Sequence, residues 1–368
     1  MEDKISERKK SGGPPFDPKT IHIDTKPIPL EAVLRRLKQG TILLSPDFQR
    51  NQVWGKKQKS LLIESLMLNI PIPLFYVSAD SDNNWTVIDG LQRLTAIKEY
   101  CLDKSFRLSG LEYLQQFERC TFDSLSPIFI NRILESTFQF VIVEPTTDEH
   151  VKFNIFKRIN TGGIVLNPQE IRHAMNFGSG VQLLDTLAVS EELASVYGKG
   201  KPNPRMKRQE IILRSLSFIL LGYESYGKDD SQDVFLSDCL SAMNSLGREE
   251  PAGSSRKFCT LEELSKVFLT GVSRGVELFG RDAFRIPKNN TRGAVNGSLF
   301  EVLTSLLSEM DDEEFEVLQT NKKEFHERLN ELVLEKEFSR LISRDPWKPK
   351  NVHERFVKIK SLMKDVVW

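Results

Sequence analysis

Residues 85–96 read Trp-Thr-Val-Ile-Asp-Gly-Leu-Gln-Arg-Leu-Thr-Ala, a β-rich run that passes through an acid and a glycine into helical spacing. The start of a helix has backbone N–H groups without intrahelical acceptors and about half a positive charge, so it attracts anions. Gly90 lets backbone approach a ligand closely, and Arg93, on the first turn, can fork onto a phosphate. Asp89, at the strand end, can hold a metal–phosphate or a ribose hydroxyl. The plain alternative makes Asp89 the helix cap, Gly90 a tight turn and Arg93 a solvated side chain.

Two more clusters carry similar groups. Asp47, Gln49 and Arg50, with Trp54, form a loop rich in recognition chemistry. Lys157-Arg158-Ile159-Asn160-Thr161-Gly162-Gly163 ends a helix on two cations, an amide, a hydroxyl and two glycines. A glycine C-cap with cations on the helix dipole would explain it equally. Lys199, Lys201, Arg205, Lys207 and Arg208 make an acid-free stretch, and Lys56, Lys57 and Lys59 another. Either is a DNA-contacting patch or a solvated face.

The elements that must position these groups follow from periodicity. The spacing predicts helices over Pro29–Lys38 and Lys56–Asn69, a short strand at Thr41–Leu44, and a hairpin of Pro73–Ala79 and Trp85–Ile88 around Asp80–Asn84. Thr137–Val143 suits a central strand, and Asp148–Ile159 a helix. Asn167, Pro168 and Glu170 mark a further helix start. Beyond about Gly180 only helical patterns appear: Arg205–Leu221, Leu261–Leu278, Ser298–Met310, Lys322–Ile342 and His353–Val367. The chain is therefore read as α+β, with a small mixed sheet over roughly 20–180 and a helical remainder.

Composition narrows the function classes. With 51 basic and 51 acidic residues in 368, the net charge is zero, which argues against a protein that coats nucleic acid by bulk charge. No apolar stretch suffices for a membrane span. The four cysteines and five histidines are scattered, without zinc-ligand spacing. Gly198-Lys199-Gly200-Lys201 lacks the phosphate-loop spacing. The charged, Gly/Pro-rich start has no apolar signal core, so a cytoplasmic location is expected.

Three ordered motifs, Pro46-Asp47-Phe48-Gln49-Arg50 with Val53-Trp54, Val87–Thr95, and Phe156–Gly163 with Leu166 and Glu170-Ile171-Arg172, together resemble the N-terminal domain of GmrSD-type restriction endonucleases, a ParB/sulfiredoxin-like family. Arg205-Met206, Glu210 and Leu213-Arg214 fit its later helix. Residues 1–18 read as a disordered arm and 226–368 as a helical C-terminal region, and the resemblance implies a ParB-like domain at 19–225. It further implies a nucleotide-binding, NTP-hydrolysing module of prokaryotic anti-phage defence, taking ATP or GTP with Mg2+. On that basis Asp89, Arg93 and Asp47 are expected to be catalytic. Gln49, Arg50, Gly90, Gln92, Arg158, Asn160, Thr161 and Gly162 would bind nucleotide. The alternatives are a non-catalytic DNA-binding or modified-DNA-sensing module, or a docking subunit for a separate nuclease. Two departures matter. The family's Asp-Gly-Gln-Gln-Arg turn has Leu91 in place of its first glutamine, which weakens hydrolysis relative to binding. The C-terminal half offers only His326 and His353, without the acid, proline and asparagine pattern of a His–Asn nuclease, so nuclease activity of its own is not expected.

Overall fold

The computed structural model describes residues 21–44, 54–159, 167–175, 178–227, 232–247, 257–287 and 292–367. Asp47, Gln49, Arg50, Asn160, Thr161, Gly162 and the arm at 1–18 lie outside the described residues. The chain forms two compact units, residues 1–166 and 167–368.

The first unit is built on five strands: β1 (Ile23–Pro29), β2 (Ile42–Leu43), β3 (Phe75–Ala79), β4 (Trp85–Asp89) and β5 (Thr137–Val143). They form one mixed sheet in the order β1-β5-β3-β4-β2. The β1–β5 and β3–β4 pairs are antiparallel, whereas β2–β4 and β3–β5 are parallel. The expected hairpin is present, and its loop is tied by the Asp80 carboxylate, which accepts from the backbone N–H groups of Asp82 (2.9 Å) and Asn84 (2.8 Å). The Phe75 ring meets those of Phe138 and Phe140 at 5.1 Å each, and Trp85 meets Phe140 at 5.5 Å, so the middle strands share an aromatic cluster.

Helices cover this sheet with the stripes that the sequence spacing predicts. α1 (Leu30–Gln39) buries Leu30, Val33, Leu34 and Leu37, and ends on Gly40 in a left-handed conformation. α2 (Lys56–Met67) buries Leu62, Ile63, Leu66 and Met67. α3 (Leu91–Cys101) buries Leu91, Leu94, Ile97 and Tyr100. A Lys59–Glu99 ion pair of 2.5 Å joins α2 to α3. α4 (Pro127–Glu135) precedes β5, and α5 (Glu149–Ile159) follows it.

Glu64, on the apolar side of α2, is the exception to that pattern. It is only 2% exposed. Its carboxylate accepts the backbone N–H groups of Glu112 (3.1 Å), Tyr113 (2.7 Å) and Leu114 (2.7 Å), pinning the loop beyond α3. Burial pushes its pKa up, but the three donors together outweigh that and hold it below the usual glutamate value.

The second unit is helical: α6 (Pro168–Met175), α7 (Ser179–Ala188), α8 (Glu191–Tyr197), α9 (Lys207–Leu221), α10 (Gln232–Ser245), α11 (Leu261–Phe279), α12 (Gly297–Glu309), α13 (Asp312–Thr320), α14 (Lys322–Leu334), α15 (Lys336–Ser343) and α16 (Pro349–Val367). Every residue from Ser298 to Leu307 is buried, making α12 the central helix. Gly271 of α11 permits its close approach, since a β-carbon there would lie 2.2 Å from the Thr304 carbonyl oxygen. Glu301 of α12 is fully buried and holds two arginines, Arg214 at 2.7 Å and Arg355. The single helix expected over Lys322–Ile342 is two, because Glu335 takes an extended conformation between them.

Replacing Glu64 by Gln should lower the stability of the first unit by about 1.5–3 kcal/mol, the range for hydrogen bonds to a charged group, read in urea titrations. The wild-type advantage should be full above the unfolded glutamate pKa, about 4.3, and vanish as pH falls through the lower folded value. A difference that grows on acidification would contradict the assignment.

Candidate functional site

The elbow between β4 and α3 is the locus that the sequence singles out. β4 ends at Asp89, and Gly90 turns the chain with φ 98° and ψ 6°. That left-handed geometry is nearly free of cost only for glycine. A second constraint acts from the sheet. A β-carbon on Gly90 would stand 2.3 Å from Cδ1 of Phe75 and 3.2 Å from an Nη of Arg93. Close approach at Gly90 is thus used first by the protein's own aromatic core.

Asp89 does not cap α3. Its Oδ2 accepts instead from Arg93 Nη2, at 3.0 Å. The same nitrogen reaches the Leu74 carbonyl at 3.1 Å, Nη1 donates to the Pro73 carbonyl, and the guanidinium lies 4.6 Å from the Phe75 ring centroid. Arg93 is therefore neither a solvated side chain nor an open fork. With 12% of its side chain exposed, it clamps the segment before β3 to the first turn of α3. Burial lowers its pKa from the usual value while Asp89 opposes that shift, and arginine stays charged at any ordinary pH. Asp89 keeps 41% of its side chain exposed.

The described residues on either side of the segment that carries Asp47, Gln49 and Arg50 contact β4 and α3. β2 runs parallel to β4, with Ile42 opposite Trp85 and Leu43 opposite Thr86, so it points toward the Gly90 end of the sheet. On return, the Trp54 N–H donates to Gln92 Oε1 at 3.2 Å. β5 is antiparallel to β4, so α5, which follows it, begins at the opposite end of the sheet from Gly90. Arg158 is exposed in the last turn of α5.

In the second unit, the residues that resemble the family are engaged in framework contacts. The expected capping box is present: the Glu170 N–H donates to Asn167 Oδ1 (2.8 Å), and the Asn167 N–H to Glu170 Oε2 (2.7 Å). Arg205 also pairs with Glu170 at 2.7 Å, from a left-handed backbone shared with Met206. Arg172, 1% exposed, pairs with Asp233. Arg208 donates to the Lys201 carbonyl at 2.8 Å and lies over the Tyr197 ring, while Lys199, Lys201 and Lys207 are exposed. His353 Nε2 meets the Tyr226 carbonyl at 3.0 Å. Among the described residues no group of three or more His, Cys, Asp or Glu is placed to hold a metal, and no helix is long and apolar enough to cross a membrane.

A small mixed sheet, a strand–glycine–helix elbow and a helical continuation define the class. Residues 30–177 match the family model described as GmrSD restriction endonuclease, N-terminal domain. Residues 30–177, less than half of the chain, are thus similar to that domain, and the match runs into α6 of the second unit. No curated protein and no solved structure matches the chain.

Residue types point to Asp89, Gly90, Gln92 and Arg93 but not to the partners of Arg93. Backbone carbonyls leave no trace in residue type, so nothing in the sequence marks Pro73 and Leu74. Gly90→Ala should cost about 2–5 kcal/mol, from left-handed strain plus overpacking against Phe75. Arg93→Ala should cost about 1–2 kcal/mol as half-solvated carbonyls lose their donor. Asp89→Asn should stay within about 0.5 kcal/mol, as a surface change. Thermal melts check all three, and an Arg93→Ala protein as stable as the wild type would remove the clamp.

Proposed function

We propose that the N-terminal domain binds a nucleoside triphosphate, ATP or GTP with Mg2+, as the regulatory input of a restriction-type defence system. The observation that supports this reading is the packing of the described flanks of the Asp47–Arg50 segment against β4 and α3. β2, which precedes that segment in sequence, runs parallel to β4, and Trp54, which follows it, donates its N–H to Gln92 on the first turn of α3. The first-turn amides of α3 present N–H groups to phosphate. Arg50 would supply the positive charge, since Arg93 is already committed to two carbonyls and Asp89. Arg93 is a positioning residue in this reading, moved from the catalytic role that residue type alone suggests.

Asp89 suits a divalent ion held jointly with phosphates: Mg2+ commonly takes one or two carboxylates and keeps several waters. The free oxygen of Asp89 would hold the ion or one of its waters, and the ion would neutralise charge building on the phosphates. Leu91 is 5% exposed and belongs to the core, so the position where related turns carry glutamine orients no water here. Binding is accordingly the primary activity and hydrolysis a slow accompaniment, with Asp47 or Asp89 as the group that positions water. Within the basic stretch, Arg205 and Arg208 are occupied by framework contacts, which favours nucleotide over DNA as the ligand.

Isothermal calorimetry of the full chain with Mg–ATP and Mg–GTP tests this directly. Wild type should bind one of the two with single-site stoichiometry. Asp89→Ala, confirmed folded by its melt, should bind at least tenfold more weakly, about 1.4 kcal/mol. Absence of heat with both nucleotides, or equal affinity in the variant, would reject the site.

A further inference from the structure

The helical unit contains a cavity of about 370 Å³ whose chemistry is separate from the elbow. Its floor is apolar, made by Leu299 and Leu303 of α12 with Leu329 and Val333 of α14. Its mouth is formed by two guanidinium groups. Arg285 donates to the carbonyls of Val196 (2.6 Å), Ala283 (2.8 Å), Gly293 (3.0 Å) and Arg281 (3.2 Å). Arg292 turns its Nε and Nη2 to the same Arg281 carbonyl, with Nε at 3.0 Å. Two cations therefore converge on one neutral oxygen, and among the described residues neither has a carboxylate partner within ion-pair distance. Asp282 is the single acid in the lining, so the pocket keeps a net positive charge.

We propose that this cavity is a ligand site for a small molecule with a ring-sized apolar body and one anionic end. Size is the first reason: ligand pockets run about 300–1,000 Å³ with mostly apolar walls and a few convergent polar groups. Charge is the second. Like charges held together at a partly desolvated mouth repel, and an anion between them converts that repulsion into attraction. Burial first, and then the neighbouring charge of Arg292, lowers the pKa of Arg285, with Asp282 opposing the shift. Hydrogen-bonding capacity is the third. Asn330 and His326 face the cavity from α14, and neither side chain has a hydrogen-bond partner among the described residues. The His326 ring instead sits edge-on to Phe279, 5.4 Å between centroids, as an aromatic wall. An aryl carboxylate, sulfonate or phosphate monoester would fill the floor with its ring, set its anion at Arg292 and meet Asn330 on the way.

The test uses a matched pair of fluorescent probes on the full chain: 8-anilinonaphthalene-1-sulfonate, and N-phenyl-1-naphthylamine, which lacks the sulfonate. Wild type should bind the sulfonate one to one, at least tenfold more tightly than the neutral probe. Arg292→Gln should shrink that preference below threefold while leaving the neutral probe unchanged. Asn330→Trp, which puts an indole into the cavity from a half-exposed position, should weaken both probes at least tenfold without lowering the melting temperature. Equal affinity of the two probes for wild type would overturn the anionic end. Sulfonate binding that survives both substitutions would place the probe elsewhere and overturn the site, as would absence of binding. Should either variant melt early, Arg292→Lys decides the matter instead: it retains the charge and should retain the preference, and loss of the preference there would overturn the charge-based site.

Discussion

The Arg93 clamp is the interaction on which the N-terminal architecture turns. One guanidinium joins the end of β4, through Asp89, to the two residues that lead into β3, and does so across the face of Phe75. Gly90 is the complementary constraint, since the ring of Phe75 occupies the volume where any other side chain would begin. Strand, turn and helix are thereby fixed as one piece, with 41% of the Asp89 side chain still exposed. Preorganisation of this kind matters for anion recognition, because dipoles already oriented cost no reorganisation when charge arrives.

The second unit handles charge differently. Glu301, fully buried at the centre of α12, is shared by Arg214 and Arg355 from α9 and α16. Buried ion pairs contribute little net stability, yet removing one partner leaves an uncompensated charge and is strongly destabilising. The pairing fixes which helices meet around α12, a role in register more than in strength. The paired guanidinium groups at the cavity mouth contrast with it: they are satisfied by carbonyls, which accept hydrogen bonds but leave the charge uncancelled.

Much of the framework is legible in the sequence because it obeys local rules. The stripes of α1 and α2, the Asp80–Asn84 hairpin and the Asn167–Glu170 capping box all follow from spacing within a few residues. What the sequence hides is non-local. β1 escapes a pattern reading because Ile23 and Ile28 alternate with Asp24, Lys26 and two prolines, and only pairing with β5 makes that run a strand. Glu64 reads as a misplaced polar residue until the loop at 112–114 supplies its donors. Arg93 reads as a ligand-binding side chain from its place on a first turn, and its commitment to carbonyls 19 and 20 residues away depends on the fold. Residue type locates the elbow, while the division of labour within it comes from geometry.

That division is open to one direct observation. Backbone and arginine side-chain 1H–15N spectra of the full chain can be followed as Mg–ATP or Mg–GTP is added. If preorganised amides receive the phosphate while Arg93 stays clamped, the resonances of Gly90 to Leu94 move and the Arg93 Nε–H signal holds its position. Displacement of the Arg93 signal with the α3 amides unmoved, or stillness of both, would contradict the clamp-and-elbow arrangement.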